Sequence, residues 1–146
     1  MKSNLYIVIV GCGRVGADLA NELSREGHAV VVIDRNPSAF AALSPVFSGF
    51  RIEGDASHFS VLKEAKLSKA DVLIATTHED NVNLMVAQLA RKVFQIPQVA
   101  ARVYDPRREE LYAKLGIETI CPTRLATSEF LTMIRSEYVA KNGKRL

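Results

Sequence analysis

The stretch that decides the fold is LYIVIVGCGRVG, residues 5–16. Its first six residues form an uninterrupted apolar run rich in β-branched side chains, which is typical of a buried strand. Three glycines follow at once, and a helical segment then continues to Gly27. A second apolar run, residues 29–33, ends at Asp34. A strand, a glycine turn, a helix, a strand and an acid, in this order, predict a unit that binds a dinucleotide or an adenine nucleotide.

Each glycine of the turn has a predicted physical role. Gly11 permits a tight turn off the strand, where a Cβ atom would clash. Gly13 lets the backbone approach a pyrophosphate closely, and Gly16 lets the helix lie against the sheet. The unpaired N–H groups that open the helix carry a partial charge of about +0.5, which attracts a phosphate. A glycine-rich turn without a ligand is the alternative, but the strand before it and the helix after it favour binding.

Asp34 predicts which nucleotides are accepted. It lies at the end of the second strand, eighteen residues after Gly16. A carboxylate there accepts hydrogen bonds from both hydroxyls of an adenosine ribose and repels a 2′-phosphate, which favours NAD or another unphosphorylated ribose over NADP. Arg35 weakens this preference, because a guanidinium can pair with a 2′-phosphate.

Length and composition are those of one globular domain. The chain has 146 residues, of which 48% are hydrophobic and 24% charged, and this length is sufficient for a proper core. No apolar run approaches the roughly eighteen residues of a membrane-spanning helix. The first strand begins too early to leave room for a signal peptide. We therefore expect one cytoplasmic domain over residues 1–146, with no direct membrane insertion.

The mild positive charge and the two cysteines exclude several classes of protein. The net charge of +3 comes partly from residues 141–145, and without interleaved aromatic residues or a recognition helix we do not expect nucleic-acid binding. Cys12 and Cys121 are too few and too far apart for a disulfide scaffold or a CxxC metal site. Cys12 lies where a helix N-terminus could stabilise a thiolate. A redox role is therefore the alternative to a small side chain that fills the turn.

Strands and helices continue to alternate along the chain. Further strands are predicted at residues 50–53, 71–76, 99–103 and 117–121. Helices are predicted to start at Asn36-Pro37, at Ser57, at Thr77 with Asp80, and at Asp105-Pro106, because each provides a capping side chain. In the second of these helices Phe59, Leu62 and Ala65 are expected to point inward, and in the third Val82, Met85, Val86, Leu89, Ala90 and Val93. Short connections of this kind predict one parallel sheet of order 3-2-1-4-5-6, a doubly wound α/β domain with its cleft at the carboxyl ends of strands 1 and 4.

The last predicted helix, residues 124–141, has more apolar surface than one sheet face requires. Its apolar side chains spread over an arc of about 160°, whereas packing on a sheet needs about 100°. These side chains are Ala126, Phe130, Leu131, Met133, Ile134 and Tyr138. We favour contact with another subunit over the alternative, in which the helix lies deep on its own domain.

Other residues at the strand ends are candidates for the cleft. Asp55 could bind an adenine amino group, cap the next helix, or do both. Thr76 and Thr77 could donate hydroxyl groups to phosphate or ribose, with capping as the alternative for Thr77. Arg14 and Arg102 could converge on a phosphate, or each could make a structural ion pair instead. His78 is close enough to the cleft to be a candidate, although a single histidine in a loop is more often solvated than catalytic.

Groups needed for dehydrogenase chemistry are missing from the sequence. A dehydrogenase needs a substrate pocket and a proton donor or acceptor near the hydride, often a Tyr-x-x-x-Lys pair on a helix. Tyr112 is followed four residues later by Gly116, and Tyr138 by Asn142. Binding without turnover is therefore the preferred interpretation. A small NAD-dependent oxidoreductase and an assembly domain with an empty nucleotide site remain alternatives.

Six motifs resemble the RCK or KTN domain (TrkA-N type) of potassium-transport regulators, a Rossmann-like fold. They are IVIVGCGRVG (7–16), VVVID (30–34), GDAS (54–57), ADVLIATT (70–77), NLMVAQLAR (83–91) and ARVYDP (101–106). The resemblance implies a regulatory subunit that binds NAD(H), ATP, ADP or AMP and controls a potassium channel or transporter in the membrane. It also implies a homodimer or higher oligomer at the inner face of the cell membrane, the last helix crossing to a partner. Family members commonly continue into a C-terminal lobe, which this chain is expected to lack.

The resemblance also implies roles for individual residues. Gly11, Gly13, Arg14 and Val15 would hold phosphates and Asp34 the ribose. Asp55 and Ala56 would contact adenine, with Thr76 and Thr77 on the far side. The full set of predicted binding residues is Gly11, Cys12, Gly13, Arg14, Val15, Gly16, Asp34, Arg35, Gly54, Asp55, Ala56, Thr76, Thr77 and Arg102. No catalytic or metal-binding residue is predicted.

Overall fold

The computed structural model describes residues 3–143 and confirms the doubly wound α/β fold. Six parallel strands form one sheet in the predicted order, β3-β2-β1-β4-β5-β6. The strands are β1 (Tyr6–Val10), β2 (Ala29–Asp34), β3 (Phe50–Glu53), β4 (Val72–Ala75), β5 (Gln98–Arg102) and β6 (Glu118–Ile120). The predicted ends of the strands differ from these bounds by at most one residue.

Helices connect the strands and cover both faces of the sheet. They are α1 (Arg14–Arg25), α2 (Phe59–Glu64), α3 (Asp80–Lys92), α4 (Glu109–Lys114) and α5 (Pro122–Asn142), with 3₁₀ turns at Pro37–Ala42, Leu67–Lys69 and Pro106–Arg108. None of the helices within residues 3–143 is both long and apolar enough to cross a bilayer.

The core consists of two apolar layers, one on each face of the sheet. Because side chains alternate along a strand, Ile7 and Ile9 of β1 belong to the layer under α1, and Val8 and Val10 to the layer under α2 and α3. All four side chains are at least 98% buried. Burial on both faces explains why the first strand is continuously apolar.

Two of the predicted caps are confirmed. The Asn36 side chain accepts a hydrogen bond from the Ser38 amide, and Asp105 accepts one from the Arg107 amide. Both caps open a 3₁₀ turn rather than an α-helix. After Asp105 the chain continues into α4, as expected from Pro106 in the first turn.

The predictions for Ser57 and Phe59 are wrong. Helix α2 begins at Phe59 with His58 at its N-cap position and no side-chain cap. Ser57 lies in the turn before the helix, where its amide donates to the Asp55 carboxylate at 2.8 Å. Phe59 is 48% exposed and stacks on Phe94, with 5.5 Å between the ring centroids. Leu62 is fully buried, as predicted.

The start and the end of α3 also differ from the prediction. Asp80 does not cap the helix, since its carboxylate accepts a hydrogen bond from the Tyr104 amide at 2.9 Å. Thr77 Oγ1 does accept one from the Glu79 amide, at 3.2 Å. Val93 lies at the C-cap and is 57% exposed rather than inward.

Helix α5 extends away from the domain. It spans Pro122–Asn142, and none of its described side chains is buried. The alternative in which it lies deep on its own domain is therefore wrong. Phe130 and Met133 are 65% and 64% exposed, so the apolar arc has no cover in the isolated chain. Of the basic segment 141–145, residues 144 and 145 lie outside the described residues.

Candidate functional site

A cleft of about 350 Å³ opens at the carboxyl ends of β1, β2 and β4. It lies where the sequence analysis expects a ligand, between the glycine turn and the loop that follows β4. Ten of the fourteen predicted binding residues line it: Gly11, Cys12, Gly13, Asp34, Arg35, Gly54, Asp55, Ala56, Thr76 and Thr77.

The glycine turn tolerates no side chain at two of its three glycines. Gly11 has φ +102°, and a Cβ atom there would lie 2.8 Å from the Thr76 carbonyl oxygen. A Cβ atom on Gly16 would lie 1.9 Å from the Gly11 carbonyl oxygen. The structural roles predicted for both glycines are thus confirmed. A Cβ atom on Gly13 would meet only His78 Nε2, at 3.8 Å, so the turn is open to the cleft at this position.

The N-terminus of α1 provides a positive wall. The Ala17 amide donates to the Gly13 carbonyl at 2.8 Å, and the amides before it have no partner within the helix. The first turn contains no acidic residue, so no carboxylate of α1 itself neutralises the positive end of the helix dipole. This arrangement favours an anion at the glycine turn.

The Asp34 carboxylate is held in place by two backbone amides. Oδ2 accepts a hydrogen bond from the Cys12 amide and Oδ1 one from the Asn36 amide, both at 2.8 Å. A carboxylate oxygen has a second lone pair, so each oxygen retains acceptor capacity toward the cleft. The acid is fixed in orientation beside the turn that would hold a phosphate.

Cys12 does not have the environment of a reactive thiolate. It is 2% exposed, and its Sγ lies 3.5 Å from the Ala39 carbonyl oxygen. Burial raises the pKa of the thiol, the negative charge of Asp34 raises it further, and Arg51 lowers it. These influences disfavour the thiolate at neutral pH, so the structure supports the interpretation of a small side chain that fills the turn.

Asp55 occupies the end of the cleft formed by the residues after β3. Its carboxylate accepts hydrogen bonds from the Ser57 side chain and amide, which lower the pKa of Asp55. The predicted capping of the next helix is therefore wrong, since α2 has no side-chain cap and the acid closes a turn before it. The predicted adenine contact stays a prediction.

The opposite wall contains a polar atom without a partner. Thr76 is 3% exposed, and its Oγ1 has no hydrogen-bond partner in the described part of the chain. The Thr77 hydroxyl, in contrast, donates to Asn83 Oδ1 at 2.7 Å. Of the two threonines, Thr76 is therefore the one whose hydroxyl is buried without a partner among the described residues.

Asn83 is a residue that the sequence analysis missed. It is fully buried in α3 and holds the loop after β4, accepting from the Thr77 amide at 2.8 Å and donating to the carbonyl groups of Thr77 and Arg102 at 3.1 and 3.0 Å. The sequence did contain a signal for this role: an amide side chain stands among the inward positions of an otherwise apolar helix face.

Arg14 and Arg102 do not converge on the cleft. The Arg102 guanidinium donates to the carbonyl oxygens of Thr76 and Thr77 at 2.9 and 3.1 Å and lies 4.7 Å from the centre of the Tyr104 ring. Arg14 is exposed and, with Val15, lines a separate shallow groove. Gly16 is buried beneath the turn. Ligand contacts by the side chains of Arg14, Val15 and Arg102 stay predictions without support from these positions.

Arg35 joins the two sides of the cleft at its mouth. Its guanidinium lies 3.5 Å from the Glu79 carboxylate, and both side chains are mostly exposed.

Eight residues that line the cleft were absent from the predicted set, and most of them adjoin the carboxyl end of a strand. They are Val10, Ile33, Asn36, Ala39, Ser57, His78, Glu79 and Val82.

Comparison with protein families identifies one match over most of the chain. The model of the TrkA-N domain matches residues 7–122. The Trk system potassium uptake protein TrkA of Streptomyces coelicolor is 43% identical over 127 residues, which are 87% of this chain and 57% of that protein. A TrkA homolog of Methanothermobacter thermautotrophicus is 37% identical over 137 residues, 93% of this chain and 63% of that protein. The chain thus spans less than two thirds of either relative.

Solved structures share the fold. The GsuK channel bound to NAD superposes with a TM-score of 0.79 at 22% identity, over 95% of this chain and 25% of that one. The Kef CTD of Shewanella denitrificans in AMP-bound form has a TM-score of 0.74 at 25% identity, over 94% of this chain and 87% of that one.

Proposed function

Since this chain belongs to the TrkA-N domain family, we propose that it is a regulatory domain that binds NAD(H) or an adenine nucleotide and thereby controls potassium transport. The curated relatives are named potassium uptake proteins. We propose that the domain binds its nucleotide without catalysing a reaction, which agrees with the names of these relatives. The transporter would be a separate membrane protein, with this domain at its cytoplasmic side.

One observation carries the proposal: the Asp34 carboxylate and the N-terminus of α1 flank the same cleft, tied together by the hydrogen bond from the Cys12 amide. An adenosine ribose presents two hydroxyl donors and a phosphate presents negative oxygens. The cleft offers a fixed acceptor for the first and unpaired amides for the second. A nucleotide carries both of these groups.

The choice among nucleotides follows from the walls of the cleft. Asp34 disfavours a 2′-phosphate, so NAD(H), ATP, ADP and AMP remain candidates. The AMP-bound Kef domain supports AMP as one of them.

Binding would reach the transporter through subunit contacts. Helix α5 exposes apolar side chains on one arc and would cross to a second copy of the chain. Its N-cap residue is Cys121, whose Sγ contacts the Tyr104 carbonyl oxygen at 3.9 Å. A ligand can shift such an assembly only by its difference in affinity for the two states.

The experiment is a thermal-shift and calorimetric screen with NAD, NADH, ATP, ADP and AMP. At a concentration of 100 Kd a ligand adds about 2.7 kcal/mol to the stability of the wild type. Asp34→Ala should lose this effect, whereas Asp18→Ala, the same change at an exposed position of α1 outside the cleft, should retain it. If none of the five compounds stabilises the wild type, the proposed function is refuted.

A further inference from the structure

His78 lies on the cleft wall that faces the glycine turn. Its Nε2 is the only described atom within 4 Å of a Cβ atom built on Gly13, other than those of Gly13 itself and its chain neighbours, and the separation is 3.8 Å. Gly13 is the position where the backbone is predicted to approach a pyrophosphate most closely. The imidazole therefore borders the cleft beside Gly13, where it would adjoin a phosphate bound at the glycine turn.

The other nitrogen of the ring is already engaged. His78 Nδ1 lies 3.0 Å from the Tyr104 hydroxyl, and the two rings are stacked with 6.3 Å between centroids and 29° between planes. Tyr104 is itself held by Arg102, which lies against its ring, and by Asp80, which binds its amide. When the phenol donates to Nδ1, the proton of a neutral imidazole is at Nε2, the atom that faces the turn.

His78 is also one of few groups in the cleft that can carry positive charge. Among the described lining residues only Arg35 and His78 can do so, and Arg35 is paired with Glu79 at the mouth. Of these two groups, His78 is the one without an ion-pair partner among the described residues.

We propose that His78 Nε2 donates a hydrogen bond to the ligand phosphate held at the Gly13 turn, with Tyr104 as the residue that orients the imidazole. This inference rests on the proposed nucleotide binding and assigns the phosphate preference of the site to a side chain outside the glycine turn. The ligand class is a nucleotide that carries a phosphate, preferred over the corresponding nucleoside.

The test compares ADP and adenosine as probes, by calorimetry with adenosine at high concentration. His78→Ala should weaken ADP binding about tenfold, because a hydrogen bond to a charged group is lost, and should leave adenosine unchanged. His78→Gln, which keeps an N–H donor, should recover part of the ADP affinity. Tyr104→Phe should lower the ratio of ADP to adenosine affinity by a smaller factor, since the ring remains but no longer fixes the imidazole.

His58→Ala is the matched control, because His58 is an exposed histidine of the same domain that does not line the cleft. It should keep the wild-type ratio. The inference is overturned if His78→Ala binds ADP as tightly as the wild type, or if ADP and adenosine weaken by the same factor. If the wild type binds ADP, such a result overturns only the role of His78. If the wild type binds neither probe, the proposed function itself fails.

Discussion

The carboxylate of Asp34 accepts a 2.8 Å hydrogen bond from the backbone amide of Cys12. This contact ties the end of β2 to the glycine turn after β1, across twenty-two residues of chain. The side chain that would recognise a ribose is thus positioned by the turn that would hold the adjoining phosphate. A change at one of the two sites is expected to disturb the other.

Asp34→Asn is expected to change nucleotide preference. The amide keeps an acceptor atom but loses the negative charge, so NAD should bind about tenfold more weakly. NADP should lose less affinity or gain some, because its 2′-phosphate is no longer repelled. Calorimetric Kd values for both dinucleotides give the ratio, with Asp18→Asn as the control. If the ratio of the NAD and NADP Kd values is unchanged in Asp34→Asn, this acid does not discriminate against a 2′-phosphate.

Gly16→Ala and Gly13→Ala should separate folding from binding. A methyl group on Gly16 would meet the Gly11 carbonyl oxygen at 1.9 Å, so we expect a loss of at least about 2 kcal/mol in the free energy of unfolding. A methyl group on Gly13 has free space, so stability should change little while nucleotide affinity falls. Urea denaturation and calorimetry measure the two effects. Equal stability of Gly16→Ala and the wild type would contradict the packing argument.

Much of the site was predictable because its parts are close in sequence. Gly11, Gly13 and Asp34 belong to one strand–helix–strand unit, and their positions follow from local geometry and the spacing of that unit. The directions of Arg14 and Arg102 were not predictable in the same way. Arg102 is turned away from the cleft by the Tyr104 ring and two carbonyl groups of the loop after β4, and the sequence alone does not give such tertiary contacts.

The role of Asn83 also could not be predicted from the sequence, because it depends on tertiary contacts. Its four hydrogen bonds reach Thr77 and Arg102, six and nineteen residues away. In the sequence it is one polar residue in a helix, and its role depends on where β5 ends relative to α3. A buried amide is recognised as structural only once its partners are known.

Asn83→Ala should be strongly destabilising for this reason. The change removes the partner of the Thr77 amide and a donor to the Arg102 carbonyl, whereas the Thr77 carbonyl keeps the Arg102 guanidinium. Each group left unsatisfied costs about 1–3 kcal/mol. We expect a loss of at least about 2 kcal/mol, measured by chemical denaturation. Asn81→Ala is the control, since Asn81 is an exposed asparagine of the same helix. Comparable stability of the two variants would contradict a locking role for Asn83.

Cys12 should behave as an inert thiol. Because burial and Asp34 raise its pKa, a smaller fraction is thiolate at a given pH than for an ordinary cysteine. In a Cys121→Ser background, alkylation by iodoacetamide should be slow at pH 8 and should accelerate only at higher pH, as followed by mass spectrometry. Labelling faster than that of a short cysteine peptide at pH 8 would restore the redox interpretation.

Ile134→Glu should disrupt assembly through α5. Ile134 is 56% exposed near the middle of the apolar arc, and a carboxylate buried against a second copy would lack a partner. We expect the wild type to sediment as a dimer and the variant as a folded monomer with the wild-type circular-dichroism spectrum, because no residue of α5 is buried in its own domain. Thr132→Glu is the control, since at 100° per residue it lies about 160° away on the same helix. Sedimentation velocity distinguishes the outcomes, and a wild type that remains monomeric at high concentration would remove α5 from the proposed assembly.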